Sequence, residues 1–272
     1  MSQNFSQGSI QPLSIGNVVS AGLRLYRSHL KTYFQLAAIA NLWILVPVYG
    51  WAKYCAIGGL ISRLAFNDLI GKPESVSEAR HHTNPRLWSF LGVAFRVGLS
   101  LLLVYLGAVI LAGIVAGVLG VVLSAILGPL AIVLVTIVGI IIALGAIIWY
   151  FSRWVVAEVP LAVEEDVNGG ESVNRSWELT KASVVRIQGV VLVAFLVTLP
   201  LIFLTSYLPQ IFLVGLEAGS STYWIVYFLS FVTSLIGGAL VMPFWQALKA
   251  VIYYDLRNRR EGLGLQLRDR PI

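Results

Sequence analysis

A chain of 272 residues that is 58% hydrophobic and only 12% charged carries about half the charge of an ordinary soluble domain. With a mean hydropathy of +0.83 it has too little polar surface to cover a soluble core, so the apolar excess faces lipid and the chain is an integral membrane protein. Its 19 Lys and Arg against 13 acids leave a net +6, which in lipid marks loops beside anionic headgroups and not a nucleic-acid surface.

In chain order, the opening MSQNFSQGSIQPL has neither a basic nor an apolar signal region, so insertion is expected to use the first internal span. Ser14 caps a predicted helix with Ile15, Val18, Val19, Gly22, Tyr26 and Leu30 on one face. Asn17, Ser20, Arg24, Arg27 and Lys31 share the other face, which predicts an interfacial helix on the inner leaflet. Residues 32–52 supply 21 uncharged positions, enough for one crossing of a ~30 Å hydrocarbon core. The mostly apolar stretch 54–70 carries Arg63 and Asp68 and either crosses or lies along the membrane. After Gly71-Lys72-Pro73 a second amphipathic helix runs through residues 74–80 until Asn84-Pro85 stops it.

Residues 97–152 are 56 uncharged positions, ~84 Å as a single helix, so they must fold back; Gly117, Gly120 and Gly128-Pro129 are the expected breakers. A third amphipathic helix follows Gly169-Gly170, with Val173, Trp177, Thr180, Val184 and Ile187 on one face and Glu171 placed to pair with Arg175 at i,i+4. Residues 187–248, interrupted only by Glu217, make two more spans around a turn at 209–221.

The predicted fold is therefore all-α, a polytopic membrane helix bundle of about six transmembrane helices in three hairpins, with cytoplasmic amphipathic helices. The expected spans are residues 33–52, 54–70, 89–115, 130–152, 187–208 and 223–250, between a cytoplasmic segment 1–31 and a basic cytoplasmic tail 257–272. With six spans, 18 of the basic residues fall inside and one, Lys53, outside; five spans give 16 against three. Both ends are then cytoplasmic, and aromatic residues such as Trp51, Trp88, Trp149, Trp154, Trp224 and Trp245 fall near span ends. Glu74-Ser-Val matches Glu171-Ser-Val, and at the same offset Gly92-Val matches Gly189-Val, suggesting repeated helix-plus-hairpin units.

No phosphate-cradling G-x-x-x-x-G-K-[ST], no H-E-x-x-H and no G-x-S-x-G is present, so no catalytic residue, cofactor or metal ligand is assigned. Cys55 is the only cysteine, and the histidines are His29, His81 and His82. Attention falls on charges near lipid, which are costly there and suggest function by default. Arg96, about 12 Å beyond Trp88 on a straight helix, either snorkels or pairs with Glu158. Arg63 has the same readings, and the three together form a candidate intramembrane polar pair or path. Lys249 is expected to snorkel, while Lys53 and Glu217 are expected in solvated outer turns. Gly113 and Gly117 form a G-x-x-x-G expected to let a neighbouring helix approach closely.

The words Arg153-Trp-Val-Val-Ala-Glu-Val-Pro160, then Glu165, then Arg175-Ser-Trp-Glu-Leu-Thr-Lys181 resemble the bacterial membrane-domain family attached to some glycerophosphoryl diester phosphodiesterases. Leu25-Tyr-Arg27, Tyr254-Asp-Leu-Arg257 and Arg260-Glu-Gly262 are similar to its flanking signatures. The resemblance implies about six helices with cytoplasmic connections in a bacterial cytoplasmic membrane. It carries over no catalysis, which in such fusions belongs to a separate soluble domain. It also marks Glu165 and Arg175 as a candidate cytoplasmic ion pair, with Asp255 and Arg257 in a similar role. The expected function is a non-enzymatic module that binds a membrane protein partner or organises anionic inner-leaflet lipid. A small transporter with a polar path near Arg63 and Arg96 is the alternative, and an embedded lipid enzyme stands third.

Overall fold

Every regular element among residues 14–262, those the computed structural model describes, is helical. Ser14 does cap the first helix, α1 (Ile15–Ser28), accepting a hydrogen bond from Asn17 N at 3.2 Å. After a break at His29, α2 (Leu30–Trp43) leads through a tight turn at Pro47 into α3 (Tyr49–Leu69). A capping box, with Ser75 and Glu78 each bonded to the other's backbone, starts α4 (Val76–Thr83). Asn84–Arg86 form a single 3₁₀ turn in which Pro85 is tolerated, and α5 (Leu87–Leu127) continues from it. Gly128, in a positive-φ conformation, reverses the chain into α6 (Leu130–Trp154).

A short α7 (Val159–Val163) and an amphipathic α8 (Gly169–Thr180) precede the second long pair. In that pair α9 (Val184–Ile202) carries Pro200, whose missing N–H loosens the ladder, and the next turn Phe203–Tyr207 is π-helical. The brief α10 (Leu208–Ile211) ends it, and α11 (Ser221–Glu261) returns the whole length.

Four helical stretches are long and apolar enough to cross a membrane: Val76–Ala125, Leu130–Val163, Val184–Ile211 and Ser221–Glu261. They contain the expected spans 89–115, 130–152, 187–208 and 223–250, in two hairpins. The first expected hairpin is different. With 14 residues α2 rises only ~21 Å, short of the ~30 Å needed. Its partner α3 has 21 residues but carries Lys53, Arg63 and Asp68. The uncharged run 32–52 was long enough; the helix inside it is not, because the chain turns at Pro47.

Packing along α11 gives the reach of this short hairpin. Gly238 makes room for Asn41 near the end of α2, its ideal Cβ position lying 2.8 Å from Asn41 Oδ1. Gly58 of α3 faces Met242 and Gln246, and Gly22 of α1 faces Leu248. Gly238 lies only ~16 Å along α11 from Lys249, where its apolar run ends, whereas the full run from Ser221 spans ~42 Å. The α2–α3 turn thus ends about halfway along the apolar length. Around it Leu42, Leu45, Val46 and Val48 are exposed apolar side chains.

The buried core lies at the charge-bearing end. Val18, Tyr33, Leu36, Ile61, Phe66, Val156, Ile187, Leu248 and Tyr253 belong to one cluster that joins α1, α2, α3, α9 and the last turns of α11. The α5–α6 hairpin extends from this body with apolar flanks such as Phe95, Ile110, Val121, Ile141 and Ile142 exposed.

Candidate functional site

The site is the layer of charged side chains on which the two long hairpins stand. The N-terminal turn of α8 is secured by Asn168, which accepts from Gly170 N and Glu171 N, while Glu171 accepts from Asn168 N at 2.9 Å. Glu171 therefore caps its own helix and does not form the expected i,i+4 pair with Arg175. Arg175 reaches instead to Glu164 at 2.8 Å and Glu261 at 2.9 Å.

Glu164 is the hub. Besides Arg175 it accepts from the Tyr253 hydroxyl and lies 3.7 Å from Arg257. Arg257 also pairs with Glu261 at 2.8 Å, which closes a network between the loop after α7, helix α8 and the end of α11. Desolvation pulls the Arg175 guanidinium towards deprotonation, but the Tyr253 hydroxyl and Glu164 carboxylate outweigh it and hold the guanidinium charged, with its pKa raised. Glu165, the expected partner, offers Arg86 its backbone carbonyl, and its carboxylate makes no ion pair among the described residues. Arg86 also donates to the carbonyls of Leu161 at 3.1 Å and Glu164 at 2.7 Å, so one guanidinium satisfies the end of α7.

The quoted words around Arg153 converge in space. Arg153 is 2% exposed, and its guanidinium stacks 4.0 Å from the Trp177 ring centroid and 5.7 Å from that of Trp149. Its carbonyl accepts from Ser176 Oγ at 2.8 Å and Thr180 Oγ1 at 3.3 Å. Thus Ser176, Trp177 and Thr180 of α8 hold the end of α6 by way of Arg153, while Arg175 holds the end of α7 through Glu164. Ser172 adds a bridge, accepting from Leu161 N and donating to the Ala157 carbonyl. Tyr150, Trp154, Trp149 and Trp177 form one aromatic cluster.

Arg63, Arg96 and Glu158 are not brought together. Arg63 pairs with Glu74 at 2.8 Å and donates to the Ala162 carbonyl at 3.1 Å. Glu158 pairs with Lys249 at 2.8 Å. Arg96 lies against the start of α8, its Nη1 3.2 Å from the Cβ position of Gly170. Asp255 pairs with Arg186 and Arg259, whereas Arg257 pairs with Glu164 and Glu261. Sequence reasoning passed over Glu164 and gave Tyr253 and Glu261 no part in an ion-pair network, although Tyr253 adjoins the Tyr254-Asp-Leu-Arg257 word and Glu261 lies inside Arg260-Glu-Gly262.

Gly113 and Gly117 meet nothing within 4 Å of their Cβ positions, so they do not pack the hairpin. The close approaches are Gly139 to Ala112 at 3.2 Å and Gly120 to Ile132 at 3.4 Å. Lys53, expected in an outer turn, lies on α3 beside Arg80, Thr83 and Asn84. Among the described residues no group of three or more His, Cys, Asp or Glu is placed to hold a metal ion. The expected cytoplasmic segment 1–31 and tail 257–272 fall in part, at 1–13 and 263–272, outside the described residues.

Comparisons with protein-family models, with curated proteins and with solved structures find no match.

Proposed function

We propose that this is a non-enzymatic, multi-pass membrane module of the bacterial cytoplasmic membrane, which binds a membrane partner or organises lipid around itself. The observation that carries it is the failure of Arg63, Arg96 and Glu158 to converge. Arg63 and Glu158 are taken up in pairs at the charged end, and Arg96 lies there too. Residues 97–152 hold no charge and 187–248 only Glu217, so a polar path for a solute has no charged lining at mid-depth. Support for the orientation comes from the turns at 128–129 and 212–220, which lack Lys and Arg as translocated turns do. The charged end is then cytoplasmic, and the α2–α3 hairpin enters the inner half of the membrane without crossing. Membership in the phosphodiesterase-associated membrane-domain family is part of the proposal, resting on the quoted motifs.

Cysteine accessibility tests the reading against transport. In a Cys55→Ala background, Ala194→Cys and Ala239→Cys place thiols at buried positions on α9 and α11 of the second long hairpin. Both should resist a membrane-impermeant maleimide added to the outer face, while Ala218→Cys labels from that face and Ser20→Cys only from the inner one. Outer-face labelling at 194 or 239 would mean a water-filled path and favour a transporter.

A further inference from the structure

A groove of about 150 Å³ opens where α2, α3 and the end of α4 meet, lined by Ile39, Trp43, Lys53, Ile57, Arg80 and Asn84 among others. No acidic side chain lines it. Lys53 rests 5.7 Å from the Tyr49 ring centroid, and neither it nor Arg80 makes an ion pair among the described residues. Their neighbours behave otherwise: Arg63 has Glu74, Lys249 has Glu158 and His29 has Asp68. Two cations without carboxylate partners thus face one groove beside a network that pairs other cations.

The depth of the groove selects its occupant. Gly58, next to Ile57, packs on Gln246, one turn before Lys249 closes the apolar run of α11. Lys53 lies on α3 between Gly58 and the α2–α3 turn, and its long side chain reaches the groove beside Arg80 and Asn84, which stand where α4 gives way to the uncharged start of α5. On the other side, Ile39 and the half-buried Trp43 lead to the exposed apolar turn at Leu42, Leu45 and Val46. A ligand with a compact anionic head and an adjoining apolar chain matches both halves. Lys and Arg near a membrane surface attract such heads, and the indole of a Trp favours the interfacial level.

We infer that this groove binds one anionic phospholipid of the surrounding leaflet, its phosphodiester between Lys53 and Arg80 with the Asn84 amide as a third donor, and an acyl chain along Ile39 and Trp43. The inference deepens the lipid-organising arm of the proposed function and rests on it for the position of the membrane. It fails separately, because loss of this site leaves the thiol-accessibility result unchanged.

Native mass spectrometry of the full chain in non-ionic detergent, titrated with phosphatidylglycerol or with phosphatidylcholine of the same acyl chains, tests it. Wild-type protein should retain one phosphatidylglycerol in preference to phosphatidylcholine. Arg80→Gln, an exposed change that spares the core, should weaken that binding about fivefold, and Lys53→Gln/Arg80→Gln roughly 30-fold. Arg24→Gln/Lys31→Gln, which removes the same charge elsewhere, should stay within about twofold. Equal retention of both lipids, undiminished binding by both groove variants, or an equal loss in the Arg24/Lys31 variant overturns the site. Displacement of the lipid by excess inorganic phosphate would assign the groove to a free oxyanion and overturn the lipid. If the double variant aggregates on size exclusion, Arg80→Gln alone decides.

Discussion

Val48 holds a backbone conformation that a residue with a branched Cβ avoids. At φ 59° and ψ −69° it sits between Pro47 and Tyr49, whose N–H donates to the Pro47 carbonyl at 2.7 Å, the strained form of a three-residue turn. Such a conformation costs on the order of 1–3 kcal/mol and persists only where surrounding structure imposes it. Here α2 and α3 are both anchored on α11, and the fixed φ of Pro47 leaves the next residue to close the turn. Its side chain is 53% exposed, so removing it forfeits little packing. Val48→Gly should therefore stabilise the protein by about 1 kcal/mol, seen as a higher midpoint of thermal unfolding by circular dichroism. A lower midpoint would mean that the Val48 side chain anchors the turn. Legibility at this scale is uneven. The Arg153 and Trp177 words stood out as polar or aromatic residues unusual beside apolar spans, yet their contact joins different helices that no periodicity relates. The family words point Arg175 to Glu165, whereas its partner is the adjacent Glu164: residues 164–168 are not helical, so no spacing tells which of the two carboxylates faces α8.

Within the α5–α6 hairpin, two sets of glycines with similar surroundings in sequence have opposite roles in space. Gly113 and Gly117 form the recognisable motif, but both face outward with open space around them. Gly139 is buried against Ala112, and Gly120 against Ile132. The spacing of a G-x-x-x-G stripe says that a helix has a smooth face and says nothing of which face its neighbour takes. Gly139→Leu should separate the two helices and lower the unfolding midpoint, by about 1–3 kcal/mol for overpacking, whereas Gly113→Leu should leave it within about 0.5 kcal/mol. A comparable loss at both positions, measured in detergent at concentrations that keep the protein monomeric, would show that Gly113 faces a helix after all. The same distinction explains what was legible of the elements. Long uncharged runs identified the four long helices because length alone decides whether they cross. The α2–α3 hairpin escaped because the run 32–52 is long enough on paper while its helix stops at Trp43.

For the whole molecule, Glu164 is the point where chain segments far apart in sequence are tied together at the charged end. Arg175 brings in α8, while Tyr253, Arg257 and, through the two arginines, Glu261 bring in the last turns of α11. These side chains are mostly withdrawn from water, with Arg175 31% and Glu164 20% exposed, so the pair is neither a freely solvated contact nor a fully desolvated one. Glu164→Gln removes the charge that faces two guanidinium groups and leaves Glu261 alone to balance them. It should cost about 1–3 kcal/mol, read as a lower unfolding midpoint together with faster proteolysis between α7 and α8. Glu165→Gln should stay within about 0.5 kcal/mol, since its carbonyl bond to Arg86 survives the change and its carboxylate makes no ion pair among the described residues. Exchange of the charges in Glu164→Arg/Arg175→Glu should fail to rescue, because the new arginine meets Arg257 and the new glutamate meets Glu261. Full rescue by the exchange would reduce the hub to an isolated pair and remove the reason for coupling α8 to the end of α11.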